Sequence, residues 1–331
     1  MRTVTLGDTG ISSSVLGFGC SAVMGRVGCK ASLDALGAAY DAGISFFDTA
    51  RSYGYGESEG LLGEFLRNRR DSVVISTKFG ILPARTNPIK EVLKPALRGL
   101  LHLLPSARKA MQKQIAAQFS TGNFSVAVLH ESLETSLRAL RTDYVDLLFL
   151  HEPPVSVMQQ DDLLAALEQL VTEGKVRRFG IASHPPVVEA ALAAGLRTIQ
   201  FPCNVFDLNL ARRLATRGAN CVAIANHPFG GGQRVVKSKA LLTSLSQDTN
   251  LPGSLREKLR VVDDSLLADA VLNMITRDTG IQVVVPSMLH LDHLRVNIAA
   301  IEHSRFSSED LHSLREAIGD ARPPHQRDAD S

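Results

Sequence analysis

Eight short runs of apolar and β-branched residues, separated by segments of helical periodicity, recur along almost the whole chain. The runs are 15–19, 45–48, 73–77, 145–150, 178–183, 198–202, 221–225 and 282–286. Between them, segments such as 32–42, 60–67, 132–140, 163–172, 187–194, 209–217 and 266–277 repeat apolar residues at three- and four-residue spacing. Several of these segments stop at a glycine (Gly43, Gly174, Gly195, Gly218, Gly280), as helices commonly do. Strands joined by helical crossovers return in the same direction and build a parallel sheet. Eight such units predict a closed (β/α)8 TIM barrel. An open doubly wound sheet fits less well. It would carry GxGxxG between its first strand and first helix, whereas residues 17–22 read Gly-Phe-Gly-Cys-Ser-Ala with no third glycine.

Three pieces stand outside the repeat. Residues 3–6 are expected to pair with 12–14 as an N-terminal β-hairpin that closes the barrel floor around Gly7 and Gly10. Residues 81–125 interrupt the third unit as a long helical insertion, either a lid over the site or an excursion packed on the barrel or on another subunit. Residues 228–260 form a second excursion after the seventh strand. The 331 residues are 44% hydrophobic, enough for one large core, and a single barrel domain is expected over 1–320 with a disordered, proline-bearing tail at 321–331.

Net charge is only +2, so nothing in the overall balance calls for nucleic acid or a membrane surface. Residues 81–125 are the exception, with seven Lys/Arg against Glu91 alone, a net of +6. Cys20, Cys29, Cys203 and Cys221 show no CxxC spacing, and three lie in or beside apolar segments, so buried thiols are expected in place of disulfides. The N-terminus lacks the apolar run of a signal peptide, and no stretch approaches a membrane span. These features together point to the cytoplasm.

Reactive residue types gather at the ends of the strand-like runs. Asp48 ends the second, with Tyr53 five residues on in a glycine-bearing loop. Lys78 follows the third run and His151 the fourth. In a barrel the strand ends share the face where active sites are built. A phenol beside an ammonium is drawn toward ionisation, and a carboxylate paired with the ammonium keeps it charged and fixed. Here the sequence resembles the aldo-keto reductases, whose catalytic tetrad has these four residue types in this order and setting. The resemblance runs from about residue 3 to about residue 300. It implies a nicotinamide-dependent oxidoreductase interconverting a carbonyl and an alcohol. Tyr53 would be the general acid, Lys78 would lower its pKa, Asp48 would anchor the lysine, and His151 would orient the carbonyl oxygen.

The resemblance also implies a cofactor set. Ser183 and His184 stand where the family has a Ser-Asn pair on the nicotinamide carboxamide, and Gln200 is the other carboxamide partner. Asn226 occupies the place of the aromatic that stacks on the ring. Pro228, Phe229, Gly230 and Gly232 would cradle the pyrophosphate. Asn297 matches the family's Asn eleven residues after Pro286. Ser287 and His293 stand where NADP-preferring members often place Lys or Arg, with Arg295 close by. NADP(H) is the favoured cofactor and NAD(H) the alternative. His290 and His293 have no third ligand, so no metal is expected. A small-molecule substrate is the expected partner, with the oligomeric state open. The alternative function is a nicotinamide-binding regulatory or interaction module with little turnover.

Overall fold

The computed structural model describes residues 1–24, 28–83 and 122–320. Most of the expected insertion and the whole of the expected tail lie outside the described residues. The strands are β1 (Thr3–Thr5), β2 (Ser12–Ser14), β3 (Gly17–Gly19), β4 (Phe46–Asp48), β5 (Val74–Phe79), β6 (Val145–His151), β7 (Val176–Ala182), β8 (Thr198–Pro202), β9 (Val222–Asn226) and β10 (Val283–Val285). The last eight form one parallel sheet in sequential order from β3 to β10. Its two edges meet. Leu16 bridges Val284 in parallel, Val284 N–H donates to Val15 C=O at 2.9 Å, and Gly19 N–H donates to Pro286 C=O at 3.0 Å. This is the (β/α)8 barrel that the alternation predicts.

The helices follow in the crossovers: α1 (Cys29–Asp41) after β3, α2 (Ser58–Phe65) after β4, α3 (Val126–Leu140) before β6, α4 (Asp161–Thr172), α5 (Pro185–Ala193) and α6 (Asn209–Ala215). After β9 come α7 (Gly232–Leu245), α8 (Gly253–Lys258) and α9 (Asp264–Asn273). After β10 come α10 (Leu291–Glu302) and α11 (Ser308–Asp320). The excursion expected over 228–260 is thus largely helical. The helix expected at 266–277 begins at Asp264 because Asp263 caps it, accepting from Leu266 N–H at 2.8 Å. Its last turn, Met274–Asp278, widens to i→i+5 bonding.

β1 and β2 pair antiparallel, with Thr3 opposite Ser14. The turn between them drives Leu6 and Ile11 up into the barrel, where they pack against Phe46, Val74, Leu147, Val222 and Val283. The floor is therefore plugged with apolar side chains. A second, larger core lies between the strands' outer faces and the helices. Among the cysteines, Cys20, Cys203 and Cys221 are buried free thiols and Cys29 is exposed. Among the described residues no helix is long and apolar enough to cross a membrane.

An ionic cluster centred on a buried carboxylate ties the strands outside the barrel lumen. Asp146 on β6 is 1% exposed and accepts from Ile75 N–H at 2.9 Å, Arg70 Nη2 at 2.8 Å and Arg177 Nη1 at 3.0 Å. Arg70 also donates to Thr142 Oγ1, Val73 C=O and Tyr144 C=O, and lies 3.8 Å from the Tyr144 ring centre. The sequence reading did not single these residues out.

Candidate functional site

Alternation along each strand decides which side chains enter the lumen. Phe46, Val74, Leu147, Phe149, Ile224 and Val222 form the inner core. Counting in twos from them toward the C-terminal strand ends reaches Asp48 on β4, Ser76 and Lys78 on β5, His151 on β6 and Asn226 on β9. The parallel register sets Asp48 beside Ser76, and His151 beside Ala182, whose β8 partner is Gln200. The aromatic and aliphatic layer thus carries a polar layer on top of it.

That polar layer is tightly bonded. Lys78, 1% exposed, places Nζ 2.7 and 2.8 Å from the two oxygens of Asp48 and 2.9 Å from Thr49 C=O. Asp48 Oδ1 also accepts from Ser76 Oγ at 2.6 Å and from Gln200 Nε2 at 2.9 Å. Burial presses the Lys78 ammonium toward losing its proton, but Asp48 and Tyr53 outweigh it and its pKa stands above the ordinary lysine value. Lys78 is therefore a fixed positive charge at neutral pH.

Tyr53 begins a short 3-10 turn, Tyr53–Gly56, in the loop after β4. The loop doubles back at Gly54, whose φ is 57°; a Cβ there would lie 2.3 Å from Val23 C=O, so only glycine fits. The Tyr53 side chain is half-buried with its hydroxyl deep in protein. Its ring centre lies 4.7 Å from Lys78 Nζ and 5.9 Å from the His151 ring, edge to face. The expectation that Lys78 lowers the Tyr53 pKa is met only as one contribution. Burial raises the phenol, Lys78 pulls it down, Asp48 raises it again, and the net direction is upward. Tyr53 thus keeps its proton at neutral pH. Burial, reinforced by the Lys78 charge, lowers His151 to about 3, so this imidazole is neutral. Its Nδ1 is buried without a hydrogen-bond partner among the described residues.

The expected cofactor residues lie on or after the neighbouring strands β7 to β10. Ser183 is buried directly after β7, and its N–H donates to Gln200 C=O at 3.0 Å. Gln200 sits in the middle of β8 and is fully buried. With Nε2 on Asp48, its Oε1 is left without a partner among the described residues. His184 is exposed, its Nε2 3.7 Å from Glu152 Oε1. Asn226 Oδ1 lies 3.0 Å from His227 Nδ1. Pro228 is buried, and Phe229, Gly230 and Gly232 lead into the N-terminus of the fourteen-residue α7, a natural anion cradle. Ser287 is exposed before α10, His293 is exposed in its first turn, and Asn297 is buried on it. Arg295 is engaged by Asp292 at 3.1 Å, and His290 packs ring to ring with His293 at 5.5 Å.

The residues present fit a nicotinamide group. The unpartnered Gln200 Oε1 is an acceptor suited to a carboxamide N–H, and Ser183 stands next to it in the register. Sequence reasoning missed two further participants, Ser76 and Thr49, which complete the bonding of Asp48 and Lys78. Ser76 carried a usable signal, a hydroxyl two residues before the lysine and therefore on the same face of β5.

The sequence model described as Aldo/keto reductase family matches residues 15–318. The chain belongs to the aldo/keto reductase family. It is 29% identical over 215 residues to Aldo-keto reductase YhdN of Bacillus subtilis, covering 62% of this chain and 55% of that one. It is 24% identical over 329 residues to the uncharacterized oxidoreductase YqkF of the same organism, covering 95% and 96%. It is 34% identical over 170 residues to a D-threo-aldose 1-dehydrogenase of a Pseudomonas species, covering 49% and 46%. Several curated relatives are thus matched over only about half their length. Among solved structures, the holo form of aldo-keto reductase AKR11C1 from Bacillus halodurans superposes with a TM-score of 0.71 at 22% identity, covering 99% of both chains. That likeness speaks for the fold.

Proposed function

We propose that this chain is a nicotinamide-dependent oxidoreductase that interconverts a carbonyl (aldehyde, ketone or aldose) and an alcohol, with Tyr53 as general acid/base. The observation that carries this reading is the convergence of a charged Asp48–Lys78 pair, a phenol held protonated, and a neutral imidazole. The bound nicotinamide supplies or accepts the hydride. The chain's own residues manage the oxygen and its proton. His151, neutral, keeps an N–H with which to hold and orient a carbonyl oxygen. Tyr53 gives that oxygen its proton as negative charge develops on it, and Lys78 steadies the phenolate left behind. Asp48 keeps Lys78 charged and aimed. In the reverse direction Tyr53 must first lose its proton, so alcohol oxidation should gain from alkaline pH.

Ser183 and Gln200 would hold the nicotinamide carboxamide, and Pro228, Phe229, Gly230 and Gly232 the pyrophosphate. Asn297 would complete the set. NADP(H) is favoured over NAD(H) only weakly, because exposed Ser287 and His293 offer less charge to a 2′-phosphate than Lys and Arg would. The family assignment and the dehydrogenase names among the relatives support the reading. The four free cysteines fit a cytoplasmic enzyme.

The test is reduced-cofactor absorbance followed with a panel of aldehydes, ketones and aldoses, beside direct titration of both cofactors at pH 6 and pH 8. Turnover on at least one carbonyl is expected. Tight cofactor binding without turnover on any substrate would replace this reading with a binding module. NADP(H) binding that weakens as pH rises would place His293 on the phosphate.

A further inference from the structure

Glu59 is a carboxylate buried beside the site that the proton chemistry above leaves unused. It lies in the first turn of α2 and is 1% exposed. Enclosing a carboxylate costs its hydration, and an apolar side chain would fill a helix–barrel interface without that cost. The bonds it makes point to another purpose. Its Oε1 accepts from Thr77 Oγ1 at 2.6 Å, and its Oε2 accepts from Arg51 Nη1 at 3.2 Å. Thr77 directly precedes Lys78 on β5, and Arg51 lies midway between Asp48 and Tyr53.

The neighbouring residue tightens the same hold. Ser58 Oγ lies 3.1 Å from Thr49 Oγ1 and donates to Cys20 C=O at 3.2 Å. The carbonyl of that same Thr49 is the third acceptor of the Lys78 ammonium. The start of α2 therefore grips the Tyr53 loop at Thr49 and Arg51, and grips β5 at Thr77. The loop needs such ties, because it takes Gly54 and Tyr55 through left-handed backbone at φ 57° and 59°. Among the described residues Arg51 Nε is buried without a partner, and the bond from Nη1 to Glu59 is what holds this side chain.

We propose that Glu59 is a positioning residue that sets, through Arg51 and Thr77, the placement of the Tyr53 phenol relative to Lys78. It touches no reacting atom. The proposal rests on Tyr53 being the acid, and its test is built so that the two can fail separately. Two variants are compared with the wild type. Glu59→Gln offers one acceptor oxygen to two donors, so one tie is lost. The pair Arg51→Met with Glu59→Leu removes both charges together, which leaves the net charge near Tyr53 unchanged and replaces a buried ion pair by apolar packing that is commonly as stable.

If Glu59 positions Tyr53, the double variant regains the wild-type melting temperature while kcat stays about 10- to 100-fold down, as small misplacements of a catalytic group produce. KM should remain within about threefold, because substrate binding is not the function lost. Recovery of kcat together with melting temperature would reduce Glu59 to a stability role and overturn the proposal. A second readout needs no turnover. The tyrosinate absorbance of each protein, less that of the same background carrying Tyr53→Phe, gives the Tyr53 titration. Its midpoint should move upward by about half a unit or more as the pull of Lys78 weakens. An unmoved midpoint overturns the proposal whatever the rates. A wild type that reduces nothing would count against the reductase reading, and the titration would still judge Glu59.

Discussion

Lowering the pH from 7 to 5 should cost this protein about 2 kcal/mol of stability through His151 alone. The imidazole is lowered to about 3 in the folded chain, by burial first and by the Lys78 charge second. In the unfolded chain it titrates near its ordinary value of about 6.5. Between those two values the unfolded state binds a proton that the folded state refuses, so stability rises with pH across that window. The contribution is fully present above about pH 6.5 and is lost progressively as pH falls toward about 3. At pH 7 the unfolded imidazole is about one quarter protonated and at pH 5 nearly wholly so, which integrates to the figure above. Urea denaturation at pH 7, 6 and 5, on wild type and on His151→Asn, isolates this residue. His227, also lowered by burial, is present in both proteins and drops out of the difference. The wild type should lose about 2 kcal/mol more than the variant over this range. Equal losses would mean that His151 is hydrated enough to charge in the folded state, and the neutral-donor role would fall with that result.

Two further outcomes test the packing that carries the site. Asp146→Asn should lower stability by about 2 to 3 kcal/mol in chemical denaturation, because the mostly buried Arg70 loses its counter-charge while Arg177, 43% exposed, is largely compensated by water; a change below about 1 kcal/mol would show the cluster to be hydrated. Gly180→Ala should cost about 3 kcal/mol or more, since its Cβ would lie 1.8 Å from Thr198 C=O between β7 and β8. Gly37→Ala in α1, where nothing lies within 4 Å, is the control and should be neutral or stabilising by up to about 1 kcal/mol.

The polar layer was legible in the sequence because its members obey two local rules at once. Asp48, Lys78 and His151 each follow an apolar strand at even spacing from a lumen residue, and parallel strands bring their ends to one face. Tyr53 was legible for a different reason, its fixed distance from Asp48 in the matched family pattern. What stayed hidden depends on partners far apart in the chain. Asp146 meets Arg70 across 76 positions, and Gln200 meets Asp48 across 152. Nothing in a single strand announces either. The net direction of the Tyr53 titration was hidden too. Residue types told of the ammonium nearby but not of the burial that outweighs it. Nor does any local pattern show that Glu152, just past the end of the adjacent strand, comes within 3.7 Å of His184.

The central claim is that Tyr53 handles the proton while the rest of the rim holds the cofactor, and Tyr53→Phe separates those two duties most directly. The phenylalanine ring retains the packing against His151 and Lys78 but carries no proton. Its kcat for the best carbonyl substrate should fall about 100- to 10,000-fold, the usual worth of a positioned acid. The dissociation constant for the nicotinamide cofactor should stay within about threefold of wild type, since no proposed cofactor contact is removed. Undiminished kcat with unchanged cofactor affinity would contradict the account, because the proton would then be coming from another group.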